Sequence, residues 1–152
     1  MIQTKHFIVV TALAIALGGT AFAHTGATGI VKERMDAMSD IGKSMKTIGA
    51  FLKGERPYDA SVTKAAAETI GGHAKHVPHL FPKGSTKKPS EALPAIWEDW
   101  KQFITIAADM EAAAKALAEA ADGAKDANGI KPMFASLGQT CKACHQKFRL
   151  KK

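Results

Sequence analysis

The chain holds two cysteines, three positions apart, in the run Cys141-Lys142-Ala143-Cys144-His145. Two thiols at that spacing on a helical turn can reach the two vinyl groups along one porphyrin edge and form thioether bonds. The histidine that follows projects its imidazole towards the iron. Cys-x-x-Cys-His is a haem-attachment signature for this reason. Three other readings compete. The pair could form a disulfide, as in thioredoxin-like oxidoreductases, but those place the motif after a strand of an α/β fold. A structural zinc site normally takes four ligands, and there is no second cysteine pair, so His73, His76 and His79 would have to complete it. The match could also be fortuitous. Helical context, export and a place near the C-terminus favour one covalently attached haem c, tethered by Cys141 and Cys144, with His145 as an iron ligand.

The elements that must position this motif are helical throughout, with no convincing alternating strand. A first helix is predicted from about Ile30 to Lys53. Met35, Met38, Ile41, Met45, Ile48 and Leu52 recur at spacings of three and four and form one apolar stripe. Gly54 and Arg56-Pro57 end it. Asp59 and Ser61 are candidate caps for a second helix that reaches about Val77, where Pro78 stops it. A Pro-, Gly-, Ser- and Lys-rich loop then runs from His79 to about Leu93. A third helix starts near Pro94 and continues to about Gly123, carrying Trp97, Trp100, Phe103, Met110 and Leu117. Trp97 and Trp100 read as bundle core. A fourth runs from about Ile130 to Leu150, with Met133, Phe134, Leu137, Cys141, Cys144 and Phe148 inward. Four amphipathic helices with short first and third links predict an all-α, antiparallel four-helix bundle.

The 152 residues suffice for one domain. Residues 1–23 stand apart from it. Lys5 and His6 precede an apolar stretch from Phe7 to Leu17, and Ala21-Phe22-Ala23 is a cleavage site of the A-x-A kind. The run is too short to cross a bilayer comfortably. Residues 1–23 therefore read as a cleaved signal peptide, and residues 24–152 as the mature domain. That domain is expected in the periplasm, with no insertion into the membrane. Cleavage removes one cation, Lys5, and no acid, so the formal net charge falls from +7 to +6. A basic balance can mark a nucleic-acid binder, but an exported chain seldom meets nucleic acid. Acidic redox partner proteins are the more economical expectation.

The export signal, four helices and Cys-x-x-Cys-His near the C-terminus resemble class II cytochromes c, the cytochrome c-prime family. The resemblance spans essentially the mature chain. It takes in Arg34, the Lys53-Gly54 helix end and the Pro57-Tyr58-Asp59-Ala60 turn. It continues through Leu80-Phe81-Pro82, the Ile96-Trp97 pair, and Cys141 to Arg149. Only the haem motif is specific by itself; the others persuade by their order.

The resemblance also bears on the second face of the iron. In five-coordinate, high-spin family members an apolar residue covers that face, four positions after the first-helix arginine, and such proteins bind nitric oxide or carbon monoxide. Here that position holds Met38, one turn after Arg34. A thioether can coordinate iron, and Met/His ligation is an electron-transfer arrangement. The resemblance therefore implies the low-spin, methionine-ligated subgroup. Met38 and His145 would be the iron ligands, and Arg34 would pair with a haem propionate. Methionine is equally good core filler, and Met35, Met45, Met110 and Met133 are read so. His73, His76 and His79 are expected at exposed positions. The expected function is single-electron transfer, with gas binding at five-coordinate haem as the alternative, and no enzymatic activity. The resemblance also implies a homodimer through the first two helices, which a wholly internal Met35–Leu52 stripe would not support.

Overall fold

The computed structural model describes residues 26–151, so the signal-peptide expectation for residues 1–23 lies outside the described residues. Four long helices carry the architecture: α1 (Gly29–Leu52), α2 (Ala60–His76), α4 (Trp100–Gly123) and α5 (Lys131–Phe148), with a single turn, α3 (Ala95–Glu98), before α4. Short 3-10 turns at Val77–Leu80 and Ala127–Ile130 complete the set.

Local chemistry sets most boundaries. Gly54 follows α1 at φ +71°, a left-handed position that glycine adopts without a Cβ penalty. Its N–H donates to the Phe51 carbonyl at 3.1 Å, and the Glu55 N–H to Ala50 at 3.0 Å, closing the helix end. Asp59 caps α2, its Oδ1 accepting from the Val62 N–H at 3.0 Å and the Ser61 hydroxyl at 2.8 Å. That N–H, followed by the Ser61 hydroxyl, holds the Asp59 carboxyl below the usual carboxylate range.

The third helix departs from expectation. It is not continuous from Pro94: the chain breaks at Asp99 (φ −126°, ψ 55°). Asp99 then caps α4 by accepting from the Gln102 N–H. Asp is among the best N-cap residues because its short carboxylate reaches the free amides of a first turn. The restart leaves Trp100 on the outside, 37 % exposed, so it is not core. Trp97 does pack against the core, and its Nε1 donates to the Phe81 carbonyl at 2.9 Å.

The bundle is antiparallel and unevenly closed. α4 packs along both α2 and α5, and α1 packs on α2. Ile48, Ile70, Phe103, Leu117, Ile130 and Leu137 are fully buried between them. The backbones of α1 and α5 barely approach each other. Met133, expected inside, lies in the first turn of α5 at 38 % exposure. Met110 is buried and Met45 packs against the core; Met35 is half-buried outside that packing. Past α5, Arg149 and Leu150 are extended and pair with the 80s–90s loop, Leu93 N–H to Phe148 O at 3.0 Å and Leu150 N–H to Glu91 O at 2.8 Å.

Candidate haem-attachment site

Cys141 and Cys144 lie in the C-terminal half of α5, half-buried, with no disulfide between them, and both pack against the core. Burial pushes the Cys141 thiol up, an effect that a hydrogen bond with Thr140 partly offsets. It pushes Cys144 up to about 11, and the neighbouring Cys141 adds to the effect. A redox-active thiol needs the opposite environment, typically a helix N-terminus that stabilises thiolate. Neither thiol is in an environment that stabilises thiolate, and their spacing on one helical turn suits two thioether bonds along one haem edge. Among the described residues, no group of three or more His, Cys, Asp or Glu side chains is placed to hold a metal ion.

His145 follows directly and is exposed. Crowding around its ring still penalises the charged imidazolium and lowers its pKa; Arg149 acts in the same direction, and Glu91 opposes it in part. A neutral ring is the form that can donate a lone pair to a metal.

The register between α1 and α5 brings a second residue level with this histidine. The two helices touch where a Cβ on Gly49 would sit 3.8 Å from the Phe134 ring. Met38 precedes Gly49 by eleven residues, and His145 follows Phe134 by eleven. At about 1.5 Å per residue, each stands about 16 Å from the contact. Eleven residues are also within about 20° of three full turns, so each lies on the same helical face as the contact. With the helices antiparallel, Met38 and His145 are thus equally far along their helices from that contact, and in the same direction. Met38 is half-buried and packs against the core. An open, apolar-sided edge with two thiols, an imidazole and a thioether on its walls fits a covalently bound haem.

Arg34, one turn before Met38, is buried at 5 % exposure. Its Nε and Nη2 donate to the Leu80 carbonyl at 3.1 and 2.9 Å. Nη1 donates to the Ser85 carbonyl at 3.2 Å and to Ser90 Oγ at 2.8 Å, and Nη2 also donates to Ser85 Oγ at 2.6 Å. The guanidinium lies 3.9 Å from the centre of the Phe81 ring. Burial lowers its pKa. All five N–H groups are thus engaged within the protein, and a propionate would have to displace one of the serines. Ser85, Ser90 and Glu91 are residues that periodicity does not single out. The one sequence signal for them is a Ser-rich stretch inside an otherwise basic loop.

The three histidines considered for a zinc site lie elsewhere. His73 is half-buried with Nε2 3.9 Å from Asp40 Oδ2, and the exposed His76 and His79 face one another with ring centres 6.5 Å apart.

Comparisons with known proteins converge on one group. The profile of the Cytochrome C' family matches residues 29–149. A cytochrome c-556 of Agrobacterium tumefaciens (strain II Chrys) is 44 % identical over 125 residues, covering 82 % of this chain and 99 % of that protein. A cytochrome c' of Rhodopseudomonas palustris is 34 % identical over 145 residues, covering 95 % of this chain and 97 % of the other. The solved structure of a cytochrome c' from Rhodopseudomonas palustris superposes with a TM-score of 0.76 at 34 % identity, over 83 % of this chain and 99 % of that one.

Proposed function

The chain belongs to the cytochrome c-prime family, class II cytochromes c, and on that premise we propose that it is an exported mono-haem cytochrome passing single electrons through an iron held by His145 and Met38. When bound, the haem c supplies one-electron exchange by cycling between Fe(III) and Fe(II). Cys141 and Cys144 tether it, since they are the only cysteines and lie on one wall of the open edge. His145 stays neutral at physiological pH through the crowding of its ring, so its lone pair is available. The half-buried Met38 contributes a soft sulfur from the facing wall and keeps water away from it. No side chain here performs covalent chemistry on a substrate.

The observation that carries the His/Met assignment is the equal spacing of Met38 and His145 from the Gly49–Phe134 contact. Absorption spectra of the ferric and reduced holoprotein test it. A low-spin ferric spectrum with a sulfur-to-iron charge-transfer band is expected. Met38→Ala should turn the protein high-spin and let carbon monoxide bind readily. A high-spin wild-type spectrum without that band would remove Met38 from the iron. It would favour the second reading, a five-coordinate protein that binds nitric oxide or carbon monoxide. One observation supports that alternative: Met38 already has apolar partners in the core. A colourless product from a host able to mature c-type cytochromes would sink both readings.

The partners in this proposal are acidic redox proteins met in the periplasm, attracted by the basic balance of the chain. Pairing of two copies through α1 and α2 belongs to the same proposal, and sedimentation checks it. Among the described residues no helix is long and apolar enough to cross a membrane.

A further inference from the structure

A continuous run of hydrogen bonds joins α1 to the end of α5 across the edge their backbones leave open. It starts at Arg34, whose guanidinium holds Leu80, Ser85 and Ser90. Ser90 Oγ, buried at 8 % exposure, also accepts from the Ala92 N–H at 3.2 Å. The next residues meet α5: Leu93 N–H reaches Phe148 O, Leu150 N–H reaches Glu91 O, and Arg149 Nε donates to Glu91 Oε2 at 2.8 Å.

The two anchor points are matched to the site. Arg34 lies four residues before Met38, and Arg149 lies four residues after His145. Arg34 is one helical turn before Met38 on α1, and Arg149 is the first residue past α5, in extended conformation. The Gly49–Phe134 contact closes the opposite end of the same edge. α1 is held on α2 and α5 on α4, with almost no packing between α1 and α5 themselves, so the width of the edge between them depends on what ties it. Splaying there would move Met38 and His145 apart, because both lie far along their helices from the Gly49–Phe134 contact.

We propose that residues 80–93 are a strap that fixes the width of the slot between α1 and α5, with Arg34, Ser90 and Glu91 as positioning residues. The strap rests on the slot being the seat of the haem, and not on which atom faces the iron opposite His145. It assigns Arg34 to seating the loop, work that already engages all five of its donors. Ser90 is the joint, because one hydroxyl serves both the arginine and the segment that continues to α5.

The test uses the matured holoprotein with Ser90→Ala. Two readouts are taken together: hydrogen exchange of the Leu93 and Leu150 amides, and carbon monoxide association with the ferrous form. Both should accelerate by about tenfold, the scale set by losing a buried hydrogen-bonding partner. Ser90→Thr, which restores the hydroxyl, should bring both back. Glu91→Gln gives up the pair with Arg149 at the more exposed end and should produce a smaller change in the same direction. It stands in if Ser90→Ala fails to mature. Faster amide exchange with an unchanged association rate would reduce the strap to a fold contact and overturn the proposal. Unchanged amide protection in both variants would overturn it equally. The ferric wild-type spectrum reports separately on Met38. A high-spin wild type would sink its ligation while leaving the variant-to-wild-type rate ratio to decide the strap.

Discussion

Along α2 and α4 the bundle is sealed. Ala67, Ile70, Ala74, Ala114, Leu117 and Ala121 are all but closed to solvent, and at Gly71 an added Cβ would lie 3.6 Å from that of Ala114. Small residues let the two backbones come close, so dispersion contacts in the core between them are dense. Along α1 and α5 the arrangement is reversed. Met38, Met45, Phe134, Cys141 and Cys144 are only partly buried, and the two backbones make few close approaches, with Gly49 facing the Phe134 ring. Amphipathicity does not separate the two regions, since all four long helices have an apolar and a polar face. The difference lies in side-chain size and burial: alanine against alanine on one side, partly buried methionine, cysteine and aromatic side chains on the other. Stability is concentrated where there is no chemistry, and the chemistry sits where packing is incomplete.

The sharpest way to break that division is to damage each side separately. Leu117→Ala, at a fully buried position of α4, should cost about 2–5 kcal/mol in denaturant unfolding. It should leave the ferric spectrum unchanged. Met38→Ala removes a half-buried side chain from the open edge and should cost less, about 1–2 kcal/mol in the apoprotein, yet it should transform the spectrum. Equal destabilisation by both, or a spectral change from Leu117→Ala, would show that the two regions are one cooperative unit with no division of labour.

What was legible in the sequence follows the same division. The helical position of the Cys-x-x-Cys-His run, the helix end at Gly54 and the cap at Asp59 are local patterns, each complete within a few turns, and each appears in the fold as expected. The break at Asp99 was missed because the apolar spacing runs straight through it; only the capping chemistry of one residue marks the restart. Trp100 and Met133 look like core by residue type, yet each occupies the first turn of a helix, where the neighbouring chain leaves one side uncovered. The loop anchored by Arg34 was invisible for a different reason. Its decisive hydrogen bond joins residues 56 positions apart, and no periodicity records such a pairing.

A gentler test of the open edge uses pH. In the apoprotein the Cys144 thiol is held at about 11, above its ordinary value of 9.0. A folded-state pKa raised above the unfolded one gives stability that is complete below the unfolded value and lost as pH rises through the folded value. Apoprotein stability should therefore fall between pH 9 and about 11, and apo Cys144→Ser should lose less over the same window. Thermal melts of the two across that range check this. The holoprotein, whose two sulfurs are both thioethers in our proposal, should lose less still, because the Cys141 thiol that the serine variant keeps is also raised by burial. An identical slope for wild-type and Cys144→Ser apoproteins would mean that the thiol is more hydrated than its packing implies.

The smallest effect is expected over the sealed face. Lys64 Nζ on α2 meets Asp122 Oδ2 on α4 at 2.7 Å, with side chains 41 % and 61 % exposed. Hydrogen bonding to Asp122 raises the lysine's pKa. Water and salt compete fully for both groups at that exposure, and ordering two flexible side chains offsets much of the attraction. Lys64→Gln should thus leave the melting midpoint within about 1 °C of wild type, in low and moderate salt alike. The groove beneath it is lined by Ala67, Gly71 and Ala118, and the core packing behind that groove does not need the lysine to hold it in place. A larger, salt-sensitive drop would mean that charge across α2 and α4 contributes to the seal. The contrast between a face held by packing and an edge held by hydrogen bonds would then have to be redrawn.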